Sequence, residues 1–237
     1  MKRKEVIKFL LIRTVGNFLV LLTIFGFSYT FGPALYYEIN YRIQTSQGIK
    51  YQVANVSSAI EINKLVQKYE APPSESLLTT ADKPKEKIMI PKSTEFGIMI
   101  PKIAANAIVY ANTDPANPAE YLEVLKKGVA HAKGSAFPGM NGTSYIFAHS
   151  TDNFWNAGTY NAIFFLLKEL KAGDDIVIFF MDRRYNYAVS ETKIVDPEEV
   201  SYLSANIGKG ERLVLQTCWP PGTTLKRLMV IAEPLNK

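Results

Sequence analysis

Leu213-Val214-Leu215-Gln216-Thr217-Cys218-Trp219-Pro220-Pro221-Gly222-Thr223-Thr224-Leu225-Lys226-Arg227-Leu228-Met229-Val230-Ile231-Ala232 reads as two apolar β runs joined by a proline-glycine loop. A cysteine closes the first run and an arginine opens the second. Working outward, further short apolar runs bounded by turn residues follow the same pattern. They are Phe96 to Ile103, Ala107 to Ala111, Ser144 to His149, Ile176 to Met181 and Tyr185 to Val195, with Glu211 to Cys218 and Lys226 to Ala232 completing the set. Short helices are expected between them. One opens at Asn117-Pro118 and closes at Gly128, one spans about Tyr160 to Leu170, and one opens at Asp196-Pro197-Glu198-Glu199. So many strands after Glu95 predict a mostly β domain that closes, or nearly closes, into a barrel, because closure removes exposed edges.

Upstream the composition changes. Thr14 to Tyr37 carries no charged residue and is long enough to cross a hydrocarbon core of about 30 Å as a helix. A cleaved secretory signal has a shorter apolar region and a small-x-small site, whereas this stretch runs on into Tyr36-Tyr37-Glu38. An uncleaved anchor is therefore expected. Lys2, Arg3, Lys4, Lys8 and Arg13 against Glu5 account for +4 of the formal net charge of +5. That charge is a topology signal, placing the N-terminus inside and the rest outside the cytoplasmic membrane, and it leaves no basic surface for nucleic acid. The expected organisation is a cytoplasmic tail over 1–13, a membrane helix over 14–37, a stalk helix and linker over 38–94, and the β-barrel over 95–237. Within the third segment, Ile49 to Tyr69 has apolar residues at helical spacing, and Glu70 to Lys87 has the Pro, Ser, Thr, Lys and Glu content of a linker.

One cysteine excludes an internal disulfide and a multi-cysteine zinc site. No cofactor or metal is expected, and calcium dependence is left open. A thiol at a strand end before a proline-glycine loop is displayed at a barrel rim, but it needs a basic or cationic neighbour to act as a nucleophile. His149 ends the apolar run Tyr145-Ile146-Phe147-Ala148, and Arg227 could turn its guanidinium towards an oxyanion formed at Cys218. Taken singly, each has a plainer reading as a hydrogen-bonded strand end or a solvated charge. The second histidine, His131, is the competing base.

Taken together, these residues resemble the sortases, membrane-anchored transpeptidases of bacterial surfaces. The resemblance runs from about Glu95 to Pro234 through FGIMIPKI, GVAHAKGSAFPG, YIFAHS, KAGDDI, YAVSETKIVDPEEV and LVLQTCWPPGTTLKRLMVIAEP, with histidine, cysteine and arginine in the family's order. Val214 stands where the family more often has threonine, and Ser150 where many members have arginine. These departures bear on the subclass, for which a class D, E or F kind is expected. The resemblance implies an eight-stranded barrel that cleaves a C-terminal sorting signal of the Leu-Pro-x-Thr-Gly kind. Cys218 would be the nucleophile, His149 the general acid and base, and Arg227 the oxyanion partner, while Thr217 and Trp219 are weaker substrate-contact candidates. The acyl group would pass to an amine, from a cell-wall precursor or a pilin lysine. The resemblance also marks His131 as a residue without a catalytic part. A non-catalytic β-barrel that binds or scaffolds, and a sortase-like hydrolase, are the alternatives.

Overall fold

The computed structural model describes residues 3–56, 59–70, 86–150, 163–199, 201–204 and 210–235. Helix α1 (Arg3–Ser46) opens the chain. It is, among the described residues, the one helix long and apolar enough to cross a bilayer, through Lys4–Tyr29, and the most apolar part of that stretch is not buried. Its end follows from Gly48, whose φ of +66° is open to a residue without a side chain. The Gly48 N–H donates to Thr45 O at 3.1 Å and the Ile49 N–H to Gln44 O at 3.0 Å, the paired bonds of a Schellman cap.

Beyond the apolar stretch, α1 meets the folded domain. Tyr37 and Tyr41 pack against the main core. Glu38 bridges Arg42 at 2.8 Å and Lys168 at 2.9 Å, the latter from a 3-10 turn at Phe165–Glu169.

The expected stalk helix from Ile49 is corrected. Residues Lys50–Val53 form strand β1, and the helix, α2, spans only Ala59–Glu70. After the cap at Gly48 the chain can alternate, and Tyr51 and Val53 turn inward while Lys50 and Gln52 stay exposed. Strand β2 (Glu86–Met89) pairs in parallel with β1 and takes in the last two residues of the expected linker. The rest of that linker, 71–85, lies outside the described residues. Ala54, Val56 and Met89 bury themselves with Met99, Val177 and Phe179 of the barrel, and Ile62 and Leu65 of α2 join them. This N-terminal layer is thus seated on the barrel wall by apolar contact.

The barrel consists of β3 (Phe96–Ile100), β4 (Ala105–Thr113), β5 (Val129–Ala132), β6 (Gly142–Phe147), β7 (Asp175–Phe180), β8 (Arg183–Val195), β9 (Glu211–Trp219) and β10 (Lys226–Pro234). It is closed in the order β10-β8-β7-β3-β4-β5-β6-β9, and β9 pairs back with β10. The expected eight-stranded closed barrel is therefore what the chain forms. Pairings are antiparallel except β4–β5 and β6–β9.

Strand β5 is absent from the sequence-based set. Val-Ala-His-Ala is short and carries one β-branched residue, so its pairing is imposed by neighbours on both sides. Its entry is tight: a Cβ on Gly128 would lie 2.4 Å from Ile108 O. Of the expected helices, the first is α3 (Pro118–Leu125), led by Asn117. The second is the 3-10 turn at Phe165–Glu169, its expected start at Tyr160 lying outside the described residues. The third appears as a single turn, α4 (Ser201–Ser204), beginning after Glu199 instead of at Asp196.

Candidate active site

Strand β9 is the middle of three neighbouring strands, and this decides what surrounds Cys218. On one side β10 runs antiparallel with Arg227 directly opposite Cys218, which puts their Cα atoms about 5 Å apart and both side chains on one face. On the other side β6 runs parallel, pairing Phe147 with Gln216. The ladder continues past the end of β6, since the Ala148 N–H donates to Gln216 O at 3.1 Å. His149 follows Ala148, two residues beyond the end of β6.

Alternate residues of a strand share a face. Phe147 therefore lies on the same side as Tyr145, Cys218 with Gln216, and Arg227 with Met229. Side-chain contact bears this out one layer down: the Tyr145 hydroxyl reaches across β9, donating to Gln216 Oε1 and lying 3.8 Å from Met229 Sδ. Of the three residues singled out from the sequence, Cys218 and Arg227 are thus paired across β9 and β10, and His149 follows the end of the adjoining strand β6.

Cys218 and His149 are both half-buried. Burial pushes the Cys218 thiol above its ordinary value, while the Arg227 charge pulls it back in part. Arg227 donates from Nη1 to Thr224 O at 3.0 Å and to Lys226 O at 3.1 Å, so the loop after Cys218 fixes the guanidinium's approach. The Trp219–Pro220 bond in this loop is cis.

Thr217 points to the opposite face. It is buried, and its hydroxyl donates to Ala148 O at 3.0 Å, tying β9 to the residue that precedes His149. Trp219 is half-buried against the main core at the strand's end.

His131 is placed differently. It is fully buried in β5, with its ring stacked on Phe137 at 4.5 Å between centroids. The Asn112 N–H donates to Nδ1 at 3.4 Å, and Nε2–H is shared between Ala136 O at 3.0 Å and Ser135 Oγ at 2.9 Å. Both ring nitrogens are committed to holding β4, β5 and the turn before β6. Burial pushes its pKa below the ordinary value, outweighing the Ala136 carbonyl.

The neutral form is therefore the one that fits. Unfolded chains take up a proton here as pH falls through about 6.5, where the folded barrel does not, so stability is lost below that value. Thermal unfolding between pH 7.5 and 5 should show a falling Tm whose slope is reduced in His131→Gln, which keeps a donor and an acceptor but does not titrate. An unchanged slope would show that His131 is not the titrating group.

Among the described residues no group of three or more His, Cys, Asp or Glu side chains is arranged to hold a metal ion. What the sequence did not single out is the Tyr145–Gln216 pair. The signal for it was the alternation in Gln216-Thr217-Cys218, which sets a polar amide on the cysteine's face of an otherwise apolar run.

Comparison with known proteins agrees with this fold. A sortase domain family model matches residues 98–235. Sortase D of Bacillus subtilis is 31% identical over 137 residues, which cover 56% of this chain and 60% of that protein. Sortase A of Listeria monocytogenes is 27% identical over 136 residues, 57% of this chain and 54% of that protein. The chain thus spans between half and two thirds of these curated relatives. Among solved structures, sortase A from Corynebacterium diphtheriae superposes with a TM-score of 0.50 at 25% identity, covering 77% of this chain and 87% of that one. Since the domain match takes in more than half of the 237 residues and all of the closed barrel but the first two residues of β3, the chain belongs to the sortase family.

Proposed function

We propose that this chain is a membrane-anchored cysteine transpeptidase that cleaves a sorting signal of the Leu-Pro-x-Thr-Gly kind and passes the acyl group to an amine. The observation that carries the reading is the register at Cys218, with Arg227 directly opposite on β10 and His149 one step beyond the last bonded pair on β6. The Cys218 sulfur attacks the threonine carbonyl carbon as its proton passes to His149. The carbonyl oxygen takes the negative charge, and Arg227 stabilises it from the neighbouring strand. Collapse of the tetrahedral species forms the thioester, and His149 returns the proton to the departing glycine amine. An incoming amine from a cell-wall precursor or a pilin lysine then attacks the thioester by the same steps in reverse.

Burial raises the Cys218 thiol, so in this reading the nucleophile is made in step with its use. Thr217 supports the site from behind through Ala148. The tail over 1–13 lies in the cytoplasm, 14–37 crosses the membrane once, 38–94 forms the stalk, linker and docked layer, and the barrel over 95–237 works outside.

The test is intact-mass analysis of the purified chain with such a peptide, with and without a glycine-based amine. A covalent adduct one acyl fragment heavier, resolved faster by the amine into a transfer product, is expected. An adduct that only water resolves would make the protein a hydrolase. No adduct with any member of a sorting-peptide panel would leave a binding or scaffold module.

Arg227→Lys is expected to lower acylation about 10²-fold, because the ammonium keeps the charge but loses the planar fork that meets an oxyanion. Stopped-flow acylation rates near the native value would remove Arg227 from the mechanism.

A further inference from the structure

We infer that Gln216, held by Tyr145, is a substrate-positioning group, donating from its side-chain amide to a carbonyl oxygen of the peptide about two residues from the bond that Cys218 attacks. The inference rests on the transpeptidase reading above and deepens it.

The argument starts from where a primary amide can sit. Gln216 stands one step below Cys218 on the same face of β9, with Met229 opposite on β10 and Phe147 opposite on β6. Both neighbours are buried and apolar. A half-buried amide between a thioether and a phenyl ring needs partners for both its halves, since an unmatched polar group in such surroundings is destabilising.

The carbonyl half has its partner. The Tyr145 hydroxyl donates to Gln216 Oε1. Burial pushes the Tyr145 pKa well above its ordinary value, against the pull of the Arg227 charge, so the hydroxyl remains a protonated donor at any working pH. Because that donor faces Oε1, the amide is oriented with its NH2 directed away from Tyr145. Among the described residues Nε2 has no acceptor. A donor has thus been aimed and left uncommitted beside the candidate nucleophile.

The spacing says what it would meet. Two residues along β9 measure about 7 Å, the length of two residues of an extended peptide. A substrate laid along the strand with its scissile carbonyl at Cys218 therefore brings another peptide group over Gln216. An N–H donor there matches a carbonyl oxygen, and the pairing sets the register in which the scissile bond is presented.

The test compares Gln216→Met, Tyr145→Phe and the double variant with the native chain, using a fluorogenic Leu-Pro-x-Thr-Gly-type peptide that the native chain turns over. Methionine matches the length of glutamine and suits the apolar neighbours, so the barrel should fold with a native Tm. Gln216→Met is expected to raise KM about five- to tenfold, the loss of one neutral hydrogen bond. Alkylation of Cys218 by iodoacetamide should stay at the native rate, because the nucleophile is untouched. Tyr145→Phe should give a smaller rise in KM, through loss of amide orientation, and the double variant should be no worse than Gln216→Met alone. A KM within twofold of native in folded Gln216→Met, or additive effects in the double variant, overturns the inference while the transpeptidase reading stands. A native chain that forms no acyl-enzyme with any sorting peptide removes both.

Discussion

Cys218→Ala is expected to form no acyl-enzyme, and its turnover of a sorting peptide to fall by at least about 10⁴-fold, to the level set by binding alone. The size of the loss follows from the sequence and the site together. There is one cysteine in the chain, so no second thiol can take over. The side chain lies at the end of β9 on the half-buried face shared with Arg227 and Gln216, and shortening it to a methyl group leaves the pairings of β9 with β6 and β10 in place. The variant should therefore fold with a native Tm and still bind peptide, which separates lost chemistry from lost structure. The check is intact mass after incubation with peptide, beside a thermal melt. An acyl adduct on the variant would mean that another residue carries the nucleophile, and the reading of β9 as the catalytic strand would fall. In cells, sorting-signal proteins should accumulate uncleaved when this variant is the only copy.

Why the sequence led to this strand, yet left other parts hidden, has a physical reason in each case. The long strands carry their own signal: Leu213 to Leu215 and Leu228 to Ala232 are buried throughout, and a run of apolar residues with turn residues at both ends has few other fates. Cys218, His149 and Arg227 stand where such runs end, so their positions could be read with the strands. Strand β5 carries almost no such signal, since Val129-Ala130-His131-Ala132 is held by β4 on one side and β6 on the other. Long-range pairing of this kind is invisible to local pattern. The same holds for β1, whose partner β2 lies more than thirty residues away along the chain, and for the shortening of the stalk helix to α2. The faces were also unreadable in part. Thr217 adjoins the nucleophile in sequence, but the two-residue period of the strand turns its hydroxyl to Ala148 on the far side. The period that removes Thr217 from the front brings Gln216 to it.

The two histidines make the sharpest comparison, because one occupies a strand of the barrel and the other lies just past the end of one. His149→Ala should lower acylation and transfer by about 10²- to 10⁴-fold, the range of a lost general acid and base. A thermal melt of the variant separates this loss from any loss of structure, since the residue sits half-buried beyond the last paired residue of β6. His131→Ala should do the reverse. It removes a fully buried ring that joins Asn112, Ser135 and Ala136 and stacks on Phe137, leaving an unfilled cavity and a backbone N–H without its acceptor. A stability loss of about 1–3 kcal/mol or more is expected from the unsatisfied group. Molecules that remain folded should turn over peptide near the native rate. Melting curves paired with rates corrected for the folded fraction tell the two apart. Equal loss of rate in both folded variants would undo the assignment of His149, rather than His131, as the general acid and base.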